Sequence, residues 1–189
     1  MSAHEGDCCE SSGDALTPGG ETRPPCPKCR VVGRVVTDAT IEAILKAGLA
    51  KSLLAVERRF CRTPGCEVLF YGADGRHVGK TAARGRVGLK ESADPVPLCY
   101  CFGFSRADVS REVALSGAST IPAQITARVR AALCECEVKN PSGVCCLGEV
   151  NRAVKTAFDA LRNELHPKRT EDSTINEKEP EPGAASGQQ

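Results

Sequence analysis

Cys26-Pro27-Lys28-Cys29, then 31 intervening residues, then Cys61-Arg62-Thr63-Pro64-Gly65-Cys66, decide how the first half of this chain folds. A tetrathiolate zinc site needs two short turns, each offering two sulfurs, and a fold between them that closes the distance. Pro27 and the Pro64-Gly65 pair suit such turns. Working outward, the segments around the turns read as short strands with one helix between them. Arg30 to Val36 is Val-rich and strand-like. Thr40 to Ala47 places Ile41, Ile44 and Leu45 at helical spacing, with Gly48 as the terminating residue. Ser52 to Cys61 and Glu67 to Tyr71 read as strands, the second turning at Ala73-Asp74-Gly75 into His77-Val78. Gly79 to Glu91, rich in Gly, Arg and Lys, reads as an exposed connector.

The second half carries its own thiols: Cys99-Tyr100-Cys101, 32 intervening residues, Cys134-Glu135-Cys136, and Cys145-Cys146 after the turn Asn140-Pro141-Ser142-Gly143. Six thiols are two too many for one tetrathiolate, and a Cys-x-Cys loop is unusual for structural zinc. A 2Fe-2S cluster suits the set better, because it takes two thiolates on each iron and is stabilised by N–H donors from loops and helix starts. The period here is helical. Ser105 predicts an N-cap for a helix carrying Val109, Val113 and Leu115. A second helix opens at Thr120-Ile121-Pro122 and carries Ile125, Val129 and Leu133. A third runs from about Leu147 to Leu165 with Val150, Val154, Phe158 and Leu161 on one face. Cys99 and Cys101 precede one helix and Cys146 another, where the helix dipole favours a negative group.

Composition narrows the function. The 189 residues hold 25 Lys+Arg and 24 Asp+Glu, a formal net charge of +1, so there is no global field to collect along a phosphate backbone. With 5 Phe, 2 Tyr and no Trp, a base-stacking platform is unsupported and the core is short of its bulkiest side chains. Nucleic-acid binding is not expected. The 12 cysteines, in a chain without a secretory leader or an apolar run long enough to span a membrane, point to metal in a reducing, cytoplasmic setting. Residues 1–23 and 167–189 are polar and Gly-, Glu- or Ser-rich and are expected to be disordered. Cys8-Cys9 in the first of these reads as an incidental exposed pair.

Several other signals fall away. Asp74-Gly75-Arg76-His77-Val78-Gly79-Lys80-Thr81 resembles a phosphate loop, but Asp74 stands where the first glycine is needed. His4, His77 and His166 are scattered and form no catalytic pair. Lys80, Arg84, Arg86 and Lys90 read as a solvated face that can also dock an acidic partner. No nucleophile and base stand together, so enzymatic activity is not expected.

The order CPKC, CRTPGC, RVGLKE, PVPLCYC and CEVKNPSGVCCLG resembles the N-terminal zinc/2Fe-2S domain of the CopZ iron-sulfur copper chaperone family. The CYC-plus-helix half is similar to bacterioferritin-associated ferredoxin. The likeness covers about residues 24 to 165. It implies zinc ligands at Cys26, Cys29, Cys61 and Cys66. It also implies cluster ligands at Cys99, Cys101, Cys136 (four residues before Asn140) and Cys146, the second of its pair. Cys134 and Cys145 are then spare, free to substitute or to act in cluster transfer. The family's copper site lies in a separate ferredoxin-like domain with an MxCxxC loop. This chain has one methionine, Met1, so copper handling would fall to another chain or to Cys8, Cys9, Cys134 and Cys145.

The expected fold is therefore α+β: a strand-rich zinc-binding subdomain over 24–94, then a helical 2Fe-2S-binding subdomain over 95–166. The expected function is one-electron transfer in metal handling, by analogy reducing Cu(II) to Cu(I) for a separate Cu(I) carrier or redox partner. The alternative is a structural or regulatory zinc-binding interaction module.

Overall fold

The protein is described by a computed structural model over residues 23–53 and 57–165. Cys8, Cys9, His4, His166, both predicted disordered termini and part of the predicted strand over 52–61 lie outside those residues.

The fold is mixed helix and sheet. Strand β1 (Arg34–Val36) leads into helix α1 (Asp38–Ile44), which starts there because the Thr37 hydroxyl accepts from the Thr40 N–H at 3.2 Å. Strands β2 (Arg58–Phe60), β3 (Val68–Gly72) and β4 (His77–Gly79) complete an antiparallel sheet in the order β1-β2-β3-β4. Register is fixed by pairs such as Val35 with Arg59 and Phe60 with Phe70. Every residue of β3 is buried, because the sheet is covered on both faces. On one face Ile41, Leu45, Leu53, Phe60, Phe70 and Val87 form the main core; on the other Tyr71 and Val68 pack against Cys26, Cys61 and Cys66.

Here the structure departs from three sequence expectations. The predicted strand over 30–36 shortens to three residues, because Arg30, at φ 63°, closes the first cysteine turn. Helix α1 ends at Ile44 rather than Ala47, because Leu45 leaves it to bridge Ala83. The predicted exposed connector over 79–91 is a packed strap: two 3-10 turns, Lys80–Ala82 and Gly88–Lys90, place Ala83 and Val87 in the core.

The second half begins with a small hairpin, β5 (Pro97–Cys99) and β6 (Phe104–Ser105), that sequence periodicity did not predict. Four helices follow: α2 (Arg106–Ser116), α3 (Ile121–Arg130), the single turn α4 (Cys136–Lys139) and α5 (Leu147–Leu165). Ser105 caps α2 as expected, in a reciprocal box with Asp108. Val109, Ile121, Ile125 and Val150 form the core with Cys99 and Cys146. Leu115 and Leu133, expected among the apolar residues of the two helices, are 82% and 62% exposed: Leu115 lies in the last turn of α2, and Leu133 falls beyond the end of α3 at Arg130. The halves meet where α1 packs on α4, the Thr40 hydroxyl donating to the Glu137 carbonyl.

Glu112 joins α2 to α3: its carboxylate accepts from Ser119 Oγ at 2.8 Å, Thr120 N at 2.7 Å and Thr120 Oγ1 at 3.1 Å. The Ser119 hydroxyl and the neighbouring donors hold its carboxyl below the usual value, against the opposing effect of burial. A depressed folded-state value means the stabilisation is complete above the unfolded carboxylate range and is lost as pH falls. Glu112→Gln is expected to cost about 1 kcal/mol at pH 7, a difference that shrinks toward pH 3. Equal urea midpoints for parent and variant at pH 7 would refute this cap.

Candidate metal centres

The first centre is built from two turns. In one, Cys26 N donates to the Val31 carbonyl and Arg30 N to the Cys26 carbonyl, both at 3.0 Å, folding Cys29 back beside Cys26. In the other, Cys66 N donates to the Thr63 carbonyl at 3.2 Å, while Cys61 is tied to β3 through Leu69. The sheet brings the turns together: Cys26 Sγ lies 3.9 Å from Cys66 Sγ and Cys29 Sγ 3.6 Å from Cys61 Sγ. All four sulfurs lie within 4.8 Å of one another. A tetrahedron with metal–sulfur bonds of about 2.3 Å has edges of about 3.8 Å, so the residues present fit zinc.

Electrostatics at this centre favours a bound cation. Burial pushes the thiols of Cys26 and Cys61 up, the latter to about 12. Burial acts on Cys29 in the same sense, but hydrogen bonds from the Thr63 hydroxyl, at 3.1 Å, and from the Val31 backbone bring it down to about 6. Buried thiols of this kind become four thiolates together only when a metal compensates them. Tyr71 braces the floor, its hydroxyl accepting from Gly33 N at 2.7 Å and donating to the Pro24 carbonyl at 3.1 Å. Gly33 must be glycine, because a Cβ there would lie 2.4 Å from the Phe60 carbonyl oxygen.

Lys90 was misread in the sequence. It is 7% exposed, its ammonium donating to the Thr63 carbonyl at 2.6 Å and lying 5.8 Å from the centre of the Phe60 ring. No carboxylate pairs with it among the described residues. Arg84 and Arg86 are also engaged, donating to the carbonyls of Leu45 (2.6 Å) and Pro95 (2.6 Å). A basic strip in sequence looks solvated; only the length of its aliphatic stems hints that it can cover a core.

The second constellation gathers at the β5–β6 hairpin. Cys99 ends β5, Cys101 stands in the turn closed by Gly103 (φ 74°), Cys136 opens α4, and Cys146 immediately precedes α5. Cys101 Sγ lies 3.7 Å from Cys136 Sγ and accepts from Glu135 N at 3.3 Å. Cys146 lies against both Cys99 and Cys136. Asn140 holds the turn between them, accepting from Ser142 N and Oγ at 3.0 Å and donating to the Val144 carbonyl at 2.7 Å. Cys134 sits beside Cys136 and is half-buried, as is Cys145.

Hydrogen bonds among these sulfurs split their acidities. Contact with Cys146 lowers Cys136 to about 5 and Cys99 to about 7, while Cys146, set against both, is raised. Burial raises Cys101 to about 12. Cys99 and Cys146 are buried in the helical core, whereas Cys101 and Cys136 are half-exposed. Among the described residues, only the first centre has its sulfurs all mutually within 4.8 Å; here Cys101 and Cys136 lie 3.7 Å apart, with Cys146 beside Cys136 and Cys99.

Fold and first centre together define a small zinc-binding domain, and residues 23–84 match the zf_CopZ family model, described as a zinc binding domain. The chain is 31% identical over 129 residues to the copper chaperone CopZ of Archaeoglobus fulgidus, an alignment covering 67% of this chain. The chain spans about 60% of the length of that relative. The X-ray structure of the Archaeoglobus fulgidus CopZ N-terminal domain is similar at a TM-score of 0.56 and 28% identity, covering 68% of this chain and 95% of that domain. Residues 23–84 are thus a CopZ-type zinc-binding domain, and the chain is homologous to the CopZ N-terminal domain.

Proposed function

We propose that this chain is a two-centre metal protein that moves single electrons in copper handling. Cys26, Cys29, Cys61 and Cys66 hold zinc, which keeps the sheet in shape. Cys99, Cys101, Cys136 and Cys146 hold a 2Fe-2S cluster, in a helical half over 95–166 that is similar to bacterioferritin-associated ferredoxin and follows a zinc-binding half over 24–94. The observation that carries this reading is that four further thiols gather at the β5–β6 hairpin, Cys101 Sγ 3.7 Å from Cys136 Sγ, without the mutual 4.8 Å convergence of the first centre. A single tetrahedral ion needs convergence, whereas two bridged irons take two thiolates each. The Glu135 N–H on Cys101 Sγ is the kind of donor that stabilises a cluster thiolate.

A cluster bound there supplies reversible one-electron chemistry, sufficient to reduce one Cu(II) to Cu(I) per electron. The polypeptide's part is to keep Cys99 and Cys146 dry while leaving Cys101 and Cys136 half-exposed, so that a redox partner or Cu(I) carrier in the cytoplasm approaches from that side. Homology to a copper chaperone's N-terminal domain supports the metal. Among the described residues no helix is long and apolar enough to cross a membrane.

Anaerobic purification with visible spectroscopy and quantification of iron, sulfide and zinc tests this directly. The expected product is brown, with equal iron and sulfide, two of each per zinc. Cys101→Ser and Cys136→Ser are expected to bleach it, and Cys134→Ser to leave it coloured. A protein that stays colourless after anaerobic reconstitution, with zinc in both centres, would replace this reading with a structural zinc module.

A further inference from the structure

Between the two centres runs a continuous line of hydrogen bonds that neither metal site requires for its own geometry. It starts at Cys29 Sγ, 3.1 Å from Thr63 Oγ1, and passes along Thr63 to its carbonyl, which accepts from Lys90 Nζ at 2.6 Å. Lys90 ends the 3-10 turn Gly88–Lys90, closed by its own N–H on the Val87 carbonyl at 2.7 Å. The Gly88 N–H opening that turn donates to Tyr100 Oη at 2.7 Å. Tyr100 is the residue between Cys99 and Cys101.

Both ends of the strap are costly to alter. Lys90 is buried, and its ammonium reaches the second cysteine turn through the Thr63 carbonyl, whose residue also lies 3.1 Å from Cys29 Sγ through its hydroxyl. At the other end a Cβ on Gly88 would stand 1.9 Å from the Pro97 carbonyl oxygen, so the strap lies directly on β5. Tyr100 is half-buried, and its hydroxyl's acceptor role is taken by Gly88 N. A short turn fixed at one end to a charged metal centre and at the other to a ligand loop transmits displacement, because packed interiors do not deform smoothly.

We infer that the strap Val87–Lys90 couples the two centres, with Lys90 anchoring it to the Thr63 turn of the zinc site and Tyr100 as the positioning residue that holds the strap in register. Loosening Tyr100 then weakens zinc retention more than 10 residues away in sequence, without touching a zinc ligand. This rests on the zinc reading but not on the identity of the second metal.

The test follows zinc release from the full-length metal-loaded protein to a chromogenic chelator. Tyr100→Phe removes only the hydroxyl that receives the Gly88 N–H and is expected to speed release about three- to tenfold. Glu112→Gln destabilises the same half at the junction of α2 and α3, away from the strap, and is expected to leave release unchanged. In a Lys90→Gln background, itself faster-releasing, Tyr100→Phe is expected to add nothing, the non-additivity that marks a shared path. Parental release from Tyr100→Phe, equal acceleration by Glu112→Gln, or full additivity with Lys90→Gln would each overturn the coupling. The cluster assignment fails separately, by an absent visible spectrum, while zinc release still reports on the strap.

Discussion

Cys61→Ser is expected to abolish stoichiometric zinc and unfold the sheet-bearing half. Cys61 is fully buried, sits where β2 meets the second turn, and lies 3.6 Å from Cys29 Sγ. Serine in its place leaves a three-thiolate site and a buried hydroxyl, and the remaining ligands have no other reason to stay together. The apolar support on this face is small, since among the described residues the buried cluster around the ligands adds only Val68 and Tyr71. Structural zinc contributes about 10 kcal/mol or more of apparent binding free energy in small domains, comparable to the whole stability of a domain this size. The measurement is zinc per chain together with amide exchange in β3, whose five residues are all buried. Stoichiometric zinc and parental protection of Val68–Gly72 in Cys61→Ser would refute the ligand set. Stripping zinc from the parent with a chelator is expected to expose the same amides.

Gly88→Ala should have the largest effect of any change that leaves every thiol in place. Its Cβ would meet Pro97 O at 1.9 Å and Pro97 C at 3.0 Å, both backbone atoms that cannot swing aside. Either the 3-10 turn or β5 must shift, and with it go the Gly88–Tyr100 hydrogen bond and the Lys90–Thr63 contact. The expected loss is about 3 kcal/mol or more, seen as a fall of about 10 °C in Tm. Gly85→Ala is the matched control, because a Cβ there meets nothing within 4 Å. It is expected to be neutral or slightly stabilising. If the two variants melt together, the strap is not packed as described.

Much of this was legible in the chain. Thiol spacing announced the two turns, because a tetrahedral ligand pair is a local demand that four to six residues can state. The Ser105 cap, the α3 start at Ile121-Pro122 and the Asn140–Gly143 turn were legible for the same reason: each is a hydrogen-bonding event between near neighbours. The basic segment over 79–91 was not. Its Gly, Arg and Lys carry no periodicity, and a lysine is read as solvated unless something opposite requires its charge. Here the partner is the Thr63 carbonyl, more than 20 residues earlier. The assignment of Leu115 and Leu133 to the helices' apolar residues failed similarly, since helical spacing does not fix where a helix ends or how far along it a neighbour extends.

By itself, then, the sequence determined the chemistry of the ligands and the kinds of element that carry them, because those depend on residue type and short-range geometry. Only the tertiary structure decided which sulfurs meet across 31 and 32 residues. It also turned a basic connector into the buried strap between two centres. Both outcomes depend on long-range packing, where one segment's environment is supplied by another that no local pattern specifies.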